Sequence, residues 1–597
     1  MKKIRKYTSI IILFLLSVLL GSSCKDFYNP EQPINITDDK LFDNWYEYRS
    51  AAMGLYGLQQ QLVEQILILG ELRGDLLTIT KNANADMIEV YNFNVSKENI
   101  YASPTNFFKL ISSSNNLIRV LQREHPEVMD PKNSIISNYD RLYGEALCMR
   151  AWAYFNAVRI YGKVPFIHDS LTSIDEVESF LESTETYIDS IDIVFDRDAY
   201  HNDTIYNKPV TLEKQYFDEG LIIDYFTNEL ETKVKEVGVN HYIDNNDNTW
   251  EVTIWNTHAM NTLLGLMYLT QGDLTKATNY FEKIVYLPTD NYRYQLDKSF
   301  SLKSWRNIFA NIDIREHIFT LWFNKSNQQQ HNLQRIFEPR LPNQYMLKPT
   351  RKAILNWETI WAGGVPGDYN RGYGVSYVYL RDGVPISIED IQKMLYLKSQ
   401  DDFRSADVIT ADADTVVWKY SWNKNIFDQD ANFIIYRAAG VHFWLAEAYI
   451  YRVYQRNETV STFTTNTLNI VNNGSNYSTA LNRQQLGIRG RVGLPAIVVG
   501  NINVVRDPFT NKIIGEIDLT GNFLGVQELL ESFILDEKAR ELAYEGERFY
   551  ELMRAAKRRN DPSFLANIVS QKYPQEKRAE IYNLLLDEKN WYIKYFE

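Results

Sequence analysis

A chain of 597 residues with 45% apolar and 23% charged side chains can bury a sizeable core, in one large domain or several smaller ones. Its net charge of −13 at pH 7 excludes the basic face that nucleic acid requires. Two cysteines, Cys24 and Cys148, allow no disulfide if Cys24 is modified, and eight scattered histidines form no transition-metal motif. Aromatic residues reach 14%, with 40 Tyr, a composition suited both to packed helix seams and to wet surfaces that stack on flat ligands.

The N-terminus carries Lys2, Lys3, Arg5 and Lys6, then an apolar run from Ser9 to Leu20. That run is shorter than the roughly 20 residues a membrane-spanning helix needs and suits a signal-peptide core over residues 1–23. Leu20-Gly21-Ser22-Ser23-Cys24 reads as a lipobox with Gly21 where Leu is usual, so cleavage would leave Cys24 as a lipidated first residue. Plain secretion with Cys24 as a free thiol is the rival reading. Pro30 and Pro33 make residues 24–38 an extended tether.

Asp38–Gln61 reads as a helix, with Ala51, Leu55 and Leu58 at core spacing. Lys81–Pro104 is polar and irregular, and its Tyr91, Asn94 and Tyr101 offer rings and amides to a ligand. Tyr143, Leu147, Ala151, Tyr154 and Val158 form an apolar helical stripe that Gly162 and Pro165 end. Residues 169–213 read as an acidic insertion around Asp189, Asp192, Asp196 and Asp198. Structural calcium is a minority reading there; a solvated acidic surface is favoured. Asp244–Asn248 fails the calcium-loop pattern, because Thr249 stands at the turn glycine and Trp255 at the bidentate Glu.

Asn256–Tyr286 reads as helix, Gly272-Asp273 turn, helix, with Gly265, Tyr268, Ala277 and Phe281 at tetratricopeptide positions. One such unit cannot bury its face alone, and the helices at 143–160 and 436–452 are its expected partners. Ala353–Trp361 predicts a short helix carrying Trp357 and Trp361. The glycine-rich run after it brackets Tyr369, Arg371 and Tyr373, a mixture able to line a carbohydrate groove, although core packing is an equal reading for the tryptophans. Asn501–Leu519 alternates about Asp507-Pro508 and predicts a hairpin. Ile534–Arg554 places Glu537, Glu541, Glu545 and Arg548 on one helical face, with i,i+3 pairs Glu537–Arg540, Glu545–Arg548 and Glu551–Arg554; Gly546 in mid-helix suggests a close backbone approach or a kink. Periodicity alone favours a solvated amphipathic helix.

Several separated landmarks resemble the SusD/RagB family: Gly144-Glu145-Ala146 through Arg150–Phe155, Tyr161-Gly162, Asp402-Phe403-Arg404, Trp418-Lys419-Tyr420 and Ile488–Pro495. Near the end stand Glu541-Leu542, Glu545-Gly546, Arg548, Leu552 and Arg554, with Glu551 where the family has Asp. The resemblance implies a mainly α fold: a tetratricopeptide-like helical scaffold with an irregular, loop-rich ligand-facing half containing short β-hairpins. Residues 39–597 would be one such domain, its scaffold at 39–168, 214–330, 430–456 and 525–597 and its insertions at 169–213, 331–429 and 457–524. It also implies a lipid-anchored protein of the outer-membrane surface that binds a nutrient, mostly glycans, for a SusC-like TonB-dependent transporter. The signature Glu541, Glu545, Gly546, Arg548 and Arg554 would be structural. Ligand candidates are Trp357, Trp361, Tyr369, Arg371 and Tyr373, with Tyr91, Asn94 and Tyr101 opposite them. Peptide binding is a rival within the family, and glycoside hydrolysis or a bare scaffold are rivals outside it. No nucleophile elbow, phosphate loop or metal motif is visible, so no catalytic residue and no cofactor are expected.

Overall fold

The structure is a computed structural model and describes residues 42, 44–124, 136–171, 174–182, 186–188, 192–196, 201–205, 209–211, 216–238, 249–287, 293–296, 302–310, 315–362, 365–422, 424–452, 458–473 and 487–596. The signal segment, Cys24, the tether, Asp189, Asp198 and Asp244–Asn248 lie outside them. The chain divides into residues 1–51 and 52–597. In the first unit the Asn44 side chain accepts from the Tyr46 N–H at 3.0 Å, and the Phe42 ring lies 5.0 Å from that of Tyr48. The helical scaffold and its insertions lie in the second.

The helix Asn138–Tyr161 forms where the apolar stripe predicts it. Ser137 and Asp140 close a capping box at its start, and Gly162, at φ 77°, ends it. Small residues on both sides of the stripe let neighbours approach all round, so almost every side chain along this helix is buried, Cys148 included. The helices Thr105–Glu124 and Glu219–Lys233 flank it. Thr257–Gln271 and Leu274–Val285 make the expected pair, capped by Asn256 and Asp273 and turned by Gly272 at φ 97°. A Cβ on Gly265 would strike the Phe281 ring, which explains a glycine in that seam. Ala438–Ile450 packs on Leu274–Val285, followed by Val460–Asn473 and Phe523–Glu541. On the other side Glu219–Lys233 packs between Thr257–Gln271 and Asn138–Tyr161, so one expected partner is reached largely through an intervening helix outside the sequence-based expectations.

The remaining half is built from short pairings. Leu77–Ile79 joins Leu347–Pro349, Trp361–Ala362 joins Val365–Pro366, and Tyr377–Arg381 lies between Val384–Pro385 and Asp414–Val417. The predicted hairpin forms as Ile502–Arg506 with Ile513–Asp518. The segment 169–213 holds a further hairpin, Asp192–Asp196 with His201–Ile205, enclosed in sequence by the paired strands Thr186–Ile188 and Pro209–Thr211.

Ile534–Arg554 is not one helix. The chain leaves helical geometry after Glu541, Gly546 takes φ 94°, and a new helix starts at Arg548. The cause is a close crossing with the π-helical turn Ile68–Leu72, where a Cβ on Gly70 would fall on the Gly546 carbonyl. Glu71 in that turn accepts from the Gly546 N–H at 2.9 Å. Burial pushes the Glu71 carboxyl up to about 8, against the backbone hydrogen bonds that favour its charged form. A carboxyl raised in the folded state favours folding fully at acid pH and loses that contribution as pH climbs from about 4.5 to about 8. Glu71→Gln should therefore become steadily more stable relative to the parent protein between pH 5 and 8.5, by up to about 1.4 kcal/mol per pH unit. Urea melts across that range test this; parallel curves for the two proteins would contradict it.

Candidate functional site

Five of the eight residues expected at the ligand lie inside the fold. Trp357 is 1% exposed, stacks on Tyr377 at 5.4 Å and donates from Nε1 to the Arg540 carbonyl at 3.0 Å. Tyr373 is buried and donates to the Ile386 carbonyl at 2.6 Å. Tyr91 packs on Tyr573 at 4.5 Å, and Tyr101 donates to Glu64 at 2.9 Å. Arg371 is fully buried among carboxylates. These five are corrected from ligand contacts to core: the rings are covered, and the side chains meet partners inside the protein. Asn94 is exposed, and Trp361 and Tyr369 are half-buried.

Arg371 belongs to an ionic cluster, whereas the periodicity of the charged face predicts solvent around it. Glu541 meets Arg491 at 2.6 Å, Arg437 at 2.8 Å and Arg371 at 3.0 Å, all without exposed surface. Glu316 bridges Arg437 and Arg491 from the strand side, while Glu537 meets Arg371, Arg489 and Arg540. Glu545 takes Arg437 and Lys419. Burial alone would raise the Glu541 carboxyl, yet the guanidiniums of Arg491, Arg437 and Arg371 hold it below the usual carboxylate range. Of the three expected i,i+3 pairs, Arg540–Glu537 forms. Arg548 turns instead to Asp75 at 2.7 Å, because the helix has broken between it and Glu545, and Arg554, within the new helix, turns to Glu447 at 2.7 Å. The cluster cements insertion to scaffold.

Of the expected residues that stay partly open, Trp361 stands at the edge of an aromatic group. Its short strand pairs with Pro366, and its Nε1 donates to the Pro508 carbonyl at 3.3 Å. The next residue, Phe509, meets Phe403 edge to face at 5.4 Å. Phe403 is 40% exposed, at the start of a helix capped by Asp402. Asp507 fixes the hairpin tip by accepting from the backbone of Phe509 and Thr510, at 3.1 and 2.6 Å. Tyr369 lies beside Gly367, whose φ of 97° lets the loop turn back under that ring. Three distant stretches thus bring aromatic edges together. In sequence Phe403 stands out only as a family landmark and Phe509 not at all; the Asp507-Pro508 turn signal beside it is the clue. Among the described residues, no group of three His, Cys, Asp or Glu is arranged to hold a metal ion.

The model of the SusD family matches residues 219–593. The chain belongs to that family. SusD-like protein P38 of Formosa agariphila is 29% identical over 222 residues, which cover 35% of this chain and 41% of P38, so the match spans about two fifths of that relative. The fold is similar to a SusD superfamily protein of Bacteroides vulgatus, with a TM-score of 0.56 and 15% identity, covering 90% of this chain and 92% of that one. It is also similar to surface glycan-binding protein A of Bacteroides uniformis, with a TM-score of 0.56 and 14% identity, covering 92% and 96% of the two chains.

Arg371→Met should cost about 3–5 kcal/mol of stability, because Asp368, Glu537 and Glu541 would lose a cation they share. Chemical unfolding measures it, and a loss under about 1 kcal/mol would show that the cluster does not depend on this residue.

Proposed function

We propose that this chain is a lipid-anchored protein of the outer-membrane surface that binds an oligosaccharide and hands it, unaltered, to a SusC-like TonB-dependent transporter. Membership of the SusD family supports the class, and a relative in fold named as a surface glycan-binding protein supports the ligand. The observation that carries the reading is the group Trp361, Phe403 and Phe509, with Tyr369 nearby. Sugars present C–H faces and hydroxyl rims, and a site for them combines partly open rings with polar donors and acceptors at the edge. Here the rings are partly open, and Asp507 and Thr510 at the hairpin tip supply that polar edge.

Trp361→Ala and Phe403→Ala should each weaken binding of a cognate oligosaccharide by about 1–3 kcal/mol, by analogy with bases stacked on aromatic rings. Affinity electrophoresis against a glycan panel reads the loss, and mass spectrometry of the incubated glycans should show no cleavage. Weakening by Trp322→Ala with Trp361→Ala unaffected would move the site to another exposed aromatic, since Trp322 is 38% exposed. Retention of peptides in place of glycans would favour the peptide-binding reading.

Anchoring rests on the apolar run before Cys24. Cys24→Ala should release the protein from the membrane fraction and from surface labelling, since a lipoprotein's several acyl chains hold where a single chain would be marginal. Unchanged membrane retention in that variant would refute lipidation.

A further inference from the structure

A cleft of about 240 Å³ opens in the helical scaffold, lined by none of the aromatic residues proposed for the glycan. Arg159, Arg554, Lys557 and Arg558 line it, facing Glu219 and the end of the helix Thr257–Gln271. The volume is just below the usual range of small-molecule sites, so it suits a compact ligand and not a chain.

The cations come from neighbouring elements. Arg159, near the end of the central helix, is held between the rings of Phe155 and Tyr550 at 4.6 and 4.5 Å and donates to Glu547 at 2.8 Å. Its Nε is buried and has no hydrogen-bond partner. Glu447 serves Lys538, Arg554 and Arg558, at 2.7, 2.7 and 2.8 Å. Among the ion pairs that line and back the cleft, the cations Arg159, Lys538, Arg554, Lys557, Arg558 and Arg559 meet the carboxylates Glu219, Glu447, Glu531, Glu547 and Glu551. Arg159, Arg554, Lys557 and Arg558 make this wall cationic, in a chain whose net charge is −13. The opposite wall has the other character. The last carbonyls of a helix lack intrahelical donors and form the negative end of its dipole. Gly272, with open space where a Cβ would stand, leaves this end accessible.

We infer that this cleft binds a small carboxylate that carries hydrogen-bond donors beside its acid group. The carboxylate would sit on the Lys557 and Arg558 side, and its donors would reach Glu219 and the helix end. A hydroxylated sugar acid and an α-amino acid share that chemistry. This inference stands on the cleft alone and does not depend on the aromatic surface or its ligand.

Titration calorimetry of the mature protein with galacturonate, L-serine and neutral galactose tests it. One of the two acids should bind at least tenfold more tightly than galactose, and more weakly as salt is raised; which of them binds identifies the source. Thr270→Trp fills the cleft mouth from a half-exposed position, and Lys557→Met removes its most accessible cation. Each should weaken binding at least tenfold in protein whose melting temperature is unchanged. If one variant fails to fold, the other carries the test. Equal binding of galactose, no heat with either acid, or undiminished binding in a folded variant would overturn the inference.

Discussion

The ionic cluster around Glu541 is the contact on which both halves of this fold depend. The carboxylate ends a scaffold helix, and its partners arrive from three other segments: Arg371 from a loop, Arg437 from the end of a strand and Arg491 from a 3-10 turn. Each ion has been taken out of water at a cost of several kcal/mol, which only close and multiple pairing offsets. Such a cluster adds little net stability over a well-packed apolar plug. Its directional hydrogen bonds, however, admit few alternative registers between loop and helix. We read its role as fixing where the insertion docks.

The aromatic content follows the same logic. Many of the tyrosines are wedges with a polar tip, not ligand surfaces. Tyr377 and Tyr379 both donate to buried Glu358, at 3.3 and 2.7 Å, and Lys398 closes that carboxylate at 3.1 Å. Tyr420 donates to the Tyr544 carbonyl beneath the Gly546 turn at 2.6 Å, and Tyr161 to the Ala102 carbonyl at 2.9 Å. A ring with one satisfied hydroxyl fills the gaps of an irregular half while meeting backbone groups that no sheet ladder satisfies.

Much of the scaffold was legible in sequence because its signals are local. The stripe from Tyr143, the turn at Gly272-Asp273 and the hairpin about Asp507 each depend on residues a few positions apart. Gly546 in mid-helix signalled a kink or close approach there, but its partner Gly70, far away in the chain, was not legible. Nor was the burial of Glu537, Glu541 and Glu545: a charged helical face looks the same in sequence whether water or arginines cover it. Trp357 and Trp361 show the same limit. Both lie in one short stretch, yet one indole points to Arg540 in the core and the other to Pro508 at the surface.

That last contrast bears on how a site can vary while the fold persists. Solved structures share this architecture at 14–15% identity, so most side chains are free to differ. Trp361 and Phe403 stand on separate stretches of one insertion and Phe509 on another, and their exposed tips contribute little to the core and can be exchanged at small cost. Their roots are another matter. The turn carrying Tyr369 begins at Asp368 and ends at Arg371, and those two are locked to each other at 2.7 Å and, through Arg371, to Glu537 and Glu541. A ring placed on that turn inherits the precision of a buried ion pair without having to be buried itself. The scaffold thus sets where the exposed rings stand, and the insertions set which rings they are.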